Sequence, residues 1–196
     1  MQENFLNTID YALETQDMDL FSFLLKDFRS FRKKDKNQIL IRTTINSQNT
    51  DFIEKLLSLG ADINARDDDG YTAFLNAARW QSNSDVLDLL MEANADVFAT
   101  TSEGENAFYL ATRNENEEIA SYLASLFMTS ETAKSGTSCL ENALMYAESP
   151  KTLSVYIQKM REEHVMLACM NTEPKILESL ILAGYDVNIC TSNGMT

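Results

Sequence analysis

The single histidine and the three cysteines are the residues whose types could support nucleophilic catalysis or bind a transition metal. His164 and Cys169 are five positions apart, which does not place them on one face of a helix, and no carboxylate is placed by the sequence to orient the histidine. Cys139, Cys169 and Cys190 are 30 and 21 residues apart, whereas zinc sites use Cys and His at close spacings. We therefore predict no catalytic residue and no metal site.

An acidic run, Asp67-Asp68-Asp69-Gly70, superficially resembles the start of a calcium-binding loop. The later ligands of such a loop are missing, because Phe74 and Leu75 follow. The Gly-x-x-x-x-Gly-Lys pattern that cradles phosphate occurs nowhere in the chain. The acidic run therefore predicts the tip of a turn, and we expect no cofactor.

Net charge restricts the classes of partner. The 196 residues include 16 basic and 30 acidic side chains, for a net charge of −14. Nucleic acid and anionic membrane would be repelled by such a surface, so the charge favours a basic protein partner, or serves only solubility. The odd number of cysteines suits a reducing compartment, and no long apolar run predicts membrane insertion. We predict a cytoplasmic protein.

The charge is unevenly distributed along the chain. Between Asp67 and Ala133 there are thirteen acidic residues, and only Arg79 and Arg113 are basic, so this stretch carries 13 − 2 = 11 of the net negative charges. A short basic cluster precedes it and consists of Arg29, Arg32, Lys33, Lys34 and Lys36. This cluster predicts either a solvated loop between two structural units or a docking patch.

The elements that position these residues recur along the chain. Small residues precede apolar helical segments at positions separated by 31, 34, 34, 32 and 25 residues, namely Ala12, Thr43, Ala77, Ala111, Ala143 and Ala168. Gly60-Ala-Asp-Ile-Asn, Asn94-Ala-Asp-Val and Gly184-Tyr-Asp-Val-Asn each predict a helix end, where Gly and Asn favour the left-handed backbone. Asp69-Gly70 predicts a turn, and Thr72 predicts the N-cap of the next helix.

This order of helix stop, turn and helix start, with a period near 33, resembles the ankyrin repeat. The resemblance implies an all-α solenoid of about six helix-turn-helix units with short β-hairpin fingers. It implies one domain over residues 1–196, with an N-terminal capping unit at 3–33, repeats at 34–66, 67–100, 101–133, 134–163 and 164–190, and the start of a further, truncated repeat at 191–196. From the last segment we expect the natural chain to continue.

The sequence also departs from the family pattern. Ala73 and Leu75 replace the Pro and His that follow Thr, and the glycine between the two helices of a repeat is missing, with Gln81 in its place. We therefore expect degenerate repeats of lower than consensus stability.

The resemblance implies that finger tips and inner helices form one concave partner-binding face. The positions that match this face are Asp68, Asp69, Tyr71, Arg79, Trp80, Ser102, Glu103, Glu105, Tyr109, Arg113, Asn114, Lys134, Ser135, Thr137, Met145 and Tyr146. Tyr71 and Trp80 are aromatic where the fold does not require it, and such residues anchor interfaces. The alternative is that Trp80 covers the gap left by the missing glycine.

The sequence therefore predicts a monomeric, non-catalytic module that binds another protein with a basic surface. One alternative is that the chain is the targeting arm of a larger enzyme whose catalytic domain lies after residue 196. Another is a self-associating structural piece. The Asn-, Ser- and Glu-rich composition also resembles ankyrin proteins that intracellular bacteria secrete, which would place the chain in a host cytosol.

Overall fold

The structure is a computed structural model that describes residues 3–113, 117–127, 165 and 174–188. The chain divides into two compact units, Met1–Ala107 and Phe108–Thr196. The described helices are α1 (Glu3–Glu14), α2 (Met18–Leu24), a 3-10 helix (Phe28–Ser30), α3 (Lys33–Asn46), α4 (Thr50–Ser58), α5 (Ala73–Trp80), α6 (Asp85–Glu92), α7 (Ala107–Arg113), α8 (Glu117–Phe127) and α9 (Pro174–Leu182). The all-α prediction is confirmed. The predicted domain and repeat boundaries stay predictions, and the stretches 134–163 and 191–196 lie outside the described residues.

The first unit packs as two rows of helices. The inner helices α1, α3 and α5 pack on one another in that order, and the outer helices α2, α4 and α6 do the same. The small residues Ala12, Thr43 and Ala77 are fully buried in the inner row. In the outer row Phe21 and Phe52 meet edge to face, with ring centroids 4.9 Å apart. These short helices are marginal alone, so the stability of each depends on its neighbours.

The helix ends follow the chemistry that the sequence predicts. Thr72 caps α5, because its hydroxyl oxygen accepts a hydrogen bond of 3.2 Å from the backbone N–H of Leu75. The residues after the outer helices have left-handed backbones, with φ of 88° at Gly60, 62° at Asn94 and 84° at Gly184. Both predictions are confirmed, and they fix where each outer helix turns into a finger.

The fingers are turns and not strand pairs. In the finger between α4 and α5, the backbone N–H groups of Asp69 and Tyr71 donate to the side-chain carboxylate of Asp67, at 3.0 and 2.8 Å. In the next finger, Thr100 and Asn106 form an isolated antiparallel bridge. Within the described residues there is no strand, so the β-hairpins expected in the fingers are reduced to side-chain-supported turns.

The basic cluster is mostly helical, which corrects the predicted loop. Lys33, Lys34 and Lys36 belong to the first turns of α3, and Arg32 immediately precedes that helix. Arg29 lies in the 3-10 helix. Lysine is a good helix former, so its charge does not prevent these residues from beginning a helix.

Gln81 takes over the position where the family pattern has glycine. Its side chain is buried, and its Nε2 donates to the backbone carbonyls of Thr44 and Ser47, the latter at 3.1 Å. The residue after α5 is thereby bonded to the last turn of α3 and to the residue that follows it. Its backbone is extended, with φ of −77° and ψ of 146°, so this position does not require glycine.

In the second unit the buried residues again come from helices. Phe108 and Leu110 of α7, Ile119 and Leu123 of α8, and Leu180 of α9 are at most 2% exposed. No described helix is both long enough and apolar enough to cross a membrane.

Candidate functional site

Four side chains meet at the end of α5 and the two fingers beside it, and we call them the Arg79 cluster: Tyr71, Arg79, Trp80 and Glu105. The Arg79 guanidinium lies 4.7 Å from the centre of the Trp80 ring and 5.6 Å from that of Tyr71. It donates a hydrogen bond of 2.8 Å to the Tyr71 hydroxyl, which in turn donates to a Glu105 carboxylate oxygen at 3.2 Å. The cluster is thus a cation in contact with two aromatic rings and linked to a carboxylate through the Tyr71 hydroxyl.

Trp80 presents an unusually large apolar surface for its position. It is 49% exposed, although it terminates a helix whose preceding residues, Ala77 and Ala78, are fully buried. A cation over an exposed aromatic ring is worth about 0.5–1 kcal/mol, which restricts the ring without covering it. The result is an oriented aromatic surface open to solvent.

Contact between the two fingers brings Glu105 within reach of Tyr71. The backbone N–H of Ser102 donates to the carbonyl of Asp69 at 3.0 Å. Gly70 allows this approach, since a Cβ at residue 70 would lie 2.7 Å from the Ser102 nitrogen. The residues paired here, Asp69 with Ser102 and Tyr71 with Glu105, are one repeat apart in sequence.

The acidic finger tips lie next to the Arg79 cluster. Asp68, Asp69, Ser102 and Glu103 are all exposed. The Asp68 carboxylate forms an ion pair of 2.9 Å with Lys34, at the equivalent position of the preceding repeat. The finger tips therefore provide negative charge beside an aromatic surface.

The remaining predicted residues belong to the second unit. Of these, Tyr109 is half-buried and Arg113 is exposed. Five predicted positions that follow, together with Asn114, lie outside the described residues: Lys134, Ser135, Thr137, Met145 and Tyr146.

A groove of about 540 Å³ lies between α3 and the finger that follows α4. Sequence reasoning missed most of it. A shift of one 34-residue repeat from Tyr71 and Arg79 leads to Asn37 and Ile45, so the period itself was the signal that could have found it. The residues that line the groove are Lys33, Lys34, Asn37, Gln38, Ile41, Arg42, Ile45, Arg66, Asp67 and Asp68.

Two ion pairs stabilise the helix that forms the groove. Arg42 is bonded to the carboxylate of Asp10 on α1, and this hydrogen bond raises the pKa of the Arg42 guanidinium. Arg32 donates to Asp35 at 2.9 Å and lowers the pKa of that carboxyl, despite the opposing effect of burial. The Arg42 pair joins α3 to α1, and the Arg32 pair lies at the start of α3.

The residues considered for catalysis or metal binding are not described by the structure. His164, Cys139, Cys169 and Cys190 lie outside the described ranges. Among residues 3–113, 117–127, 165 and 174–188, no three His, Cys, Asp or Glu side chains are grouped so as to hold a metal ion.

Two family models match the chain. One, described as ankyrin repeats in three copies, matches residues 9–101. The other, described as ankyrin repeats in many copies, matches residues 81–124. A comparison with curated proteins gave no match.

Proposed function

Since the chain belongs to the ankyrin-repeat family, we propose that it binds a protein partner through finger tips and inner helices, with the Arg79 cluster as the anchor. Ankyrin repeats are in general protein–protein interaction modules and are typically non-catalytic. The proposal is more specific than the family: it assigns the contact to one face of the first unit and to named side chains.

The observation that carries the proposal is the half-exposed Trp80 held by Arg79 and Tyr71. Trp, Tyr and Arg are the residue types that dominate binding energy in protein interfaces. Because Arg79 already restricts the Trp80 ring, binding loses less side-chain entropy than it would with a freely rotating ring. The cluster is therefore suited to fill a pocket on a partner or to support an apolar side chain.

The burial of Gln81 favours this assignment over a purely structural role for Trp80. Gln81 is 1% exposed, and its side chain bonds across to the preceding repeat, where the missing glycine would otherwise leave a gap. With Gln81 at that position, Trp80 is not required to fill it. Its exposed ring remains for a partner.

Charge supports a partner with a basic surface. Glu105 belongs to the cluster, the exposed Asp68, Asp69 and Glu103 lie on the two fingers beside it, and the net charge of the chain is −14. Opposite charge raises the association rate in a salt-dependent way. We further propose that the chain acts as a monomer and has no catalytic activity of its own.

The test compares partner capture by the wild-type chain, by a Tyr71→Ala/Trp80→Ala variant and by Phe23→Ala. Phe23 is an aromatic residue on α2 that is 72% exposed, so its truncation is a matched control. The double variant should weaken binding about tenfold or more, and the control should not. Capture at about 50 and about 300 mM NaCl should show weaker binding at high salt. Undiminished binding by a folded double variant would remove this site.

A further inference from the structure

We propose that the groove between α3 and the following finger is a second docking site, which binds an acidic peptide segment carrying aliphatic side chains. This site is distinct from the Arg79 cluster, whose partner is basic, although Asp68 of the intervening finger belongs to the groove lining. Its lining includes four cationic side chains against two carboxylates, although the whole chain is strongly acidic: Lys33, Lys34, Arg42 and Arg66 against Asp67 and Asp68. Arg42 is paired with Asp10 on α1, so Lys33, Lys34 and Arg66 are the cations that a ligand can engage.

The positive charge of this region is concentrated along the sequence as well as in space. Residues 29–42 contain six basic side chains and one acidic one, which is a local charge of 6 − 1 = +5 within a chain of −14. At physiological ionic strength charges are screened over about 8 Å, so a ligand in the groove responds mainly to the charges of the lining itself, which are four cations and two carboxylates. An acidic segment is therefore attracted locally by a protein that repels it at long range.

Helix α3 adds to this positive potential. Lys33 and Lys34 stand in its first turn, at the positive end of the helix dipole, where cations are least favourable. The arrangement costs helix stability, and it strengthens the attraction for an anion at that end of the groove. The same turn also carries Asp35, whose carboxylate is paired with Arg32.

The existing ion pairs leave these lysines available to a ligand. Lys33 lies 3.2 Å from Asp62 and Lys34 lies 2.9 Å from Asp68, but the lysine side chains are 78% and 74% exposed. Exposed pairs contribute little, so replacing a protein carboxylate by one from a ligand costs little. Arg66 donates to the carbonyls of Gly70 and Thr100, which orients its side chain without neutralising its charge.

The apolar and amide groups of the groove favour a peptide over other polyanions. Ile45 is 38% exposed and lies above the largely buried Ile41, so an aliphatic side chain can cover it. Asn37 and Gln38 add amides that can hydrogen-bond a peptide backbone. The lining contains no aromatic ring for base stacking, and its concave form does not match a flat bilayer surface. The volume of about 540 Å³ lies within the range typical of ligand sites.

The experiment selects a phage-displayed library of random linear peptides on the wild-type chain. We expect enrichment of peptides that combine Asp or Glu with Leu, Ile or Val. Their dissociation constants are then measured by fluorescence anisotropy for wild type and for two groove variants, Lys33→Gln/Lys34→Gln and Ile45→Ser. All three residues are exposed, so both variants should fold. The lysine variant should bind about tenfold more weakly, and the isoleucine variant several-fold more weakly.

Matched controls separate this site from net charge and from the Arg79 cluster. Lys26→Gln/Lys55→Gln removes the same charge outside the groove and should leave acidic-peptide binding unchanged, as should Trp80→Ala. The proposal would be overturned if acidic peptides are not enriched, or if the enriched peptides bind the groove variants with the same dissociation constants as the wild type. So would lysine-dependent binding of single-stranded RNA or phosphatidylserine vesicles in place of peptide. Loss of a basic partner with Trp80→Ala reports only on the function proposed above.

Discussion

Gly70 combines a backbone constraint with a steric one. Its φ of +84° lies in the left-handed region, and a Cβ there would collide with the backbone of Ser102 in the next finger. Gly104 has almost the same φ, at +83°, but a Cβ at that position would meet nothing within 4 Å. A substitution at Gly104 therefore tests conformational strain alone, whereas one at Gly70 tests both the strain and the contact between fingers.

We predict that Gly104→Ala costs about 1–2 kcal/mol of unfolding free energy, the usual cost of a left-handed alanine. Gly70→Ala should cost about 1–3 kcal/mol more, because the fingers must also move apart. Urea unfolding followed by far-ultraviolet circular dichroism measures both values. Equal losses for the two variants would show that the contact between fingers contributes nothing.

At the scale of elements, Gln81 shows how a degenerate repeat compensates for a missing family residue. Its side chain joins the end of α5 to the C-terminal end of α3 through the backbone carbonyls of Thr44 and Ser47. The family pattern alone would suggest that glycine improves this position. The extended backbone at Gln81 gains nothing from glycine, and the two hydrogen bonds would be lost.

We therefore predict that Gln81→Gly destabilises the first unit, although it moves the sequence toward the family pattern. The loss should be about 1–3 kcal/mol for the unpaired carbonyls, plus a smaller cost for glycine's freedom in the unfolded chain. Gln81→Ala should show only the loss from the unpaired carbonyls. Ser82 is the exposed neighbour of Gln81, and Ser82→Ala should change stability by less than about 0.5 kcal/mol. Thermal and urea unfolding of the three variants test this, and a stabilised Gln81→Gly would contradict it.

Much of the element structure could be predicted from sequence, because turn chemistry is local. Thr72, Gly60 and Asn94 have the cap and backbone roles expected of them. The sequence does not predict the start of α3, because Lys33, Lys34 and Lys36 show no apolar period and favour a solvated loop. The groove beside it, and the bonds of Gln81, depend on contacts between repeats that no single repeat sequence contains.

At the scale of the whole molecule, opposite charges are segregated between neighbouring repeats. The basic residues cluster around α3, and the acidic ones follow from Asp67 onward. Acid pH has two opposing effects on stability. Protonation relieves the repulsion among carboxylates, and it also removes the ion pair formed by Arg32 and Asp35. Only a comparison of variants resolves the second effect.

We predict that Asp35→Asn lowers stability at neutral pH and that the difference from wild type shrinks in acid. The pKa of Asp35 is lowered in the folded state, chiefly by its hydrogen bond from Arg32. A depressed pKa stabilises the fold above the ordinary carboxyl pKa, and this contribution disappears as pH falls through the folded value. Urea unfolding between about pH 7 and pH 2 should therefore show the difference narrowing below about pH 4. A difference independent of pH would exclude a contribution from the charged pair.

The chain's only tryptophan lies in the Arg79 cluster and is about half exposed. Its indole emission is therefore a built-in optical reporter of that one surface. A ligand that excludes water from the Trp80 ring should shift the emission maximum to shorter wavelength, whereas global unfolding should shift it to longer wavelength. An acidic peptide that occupies only the α3 groove should leave the colour unchanged, so the two proposed sites can be told apart without attaching a dye.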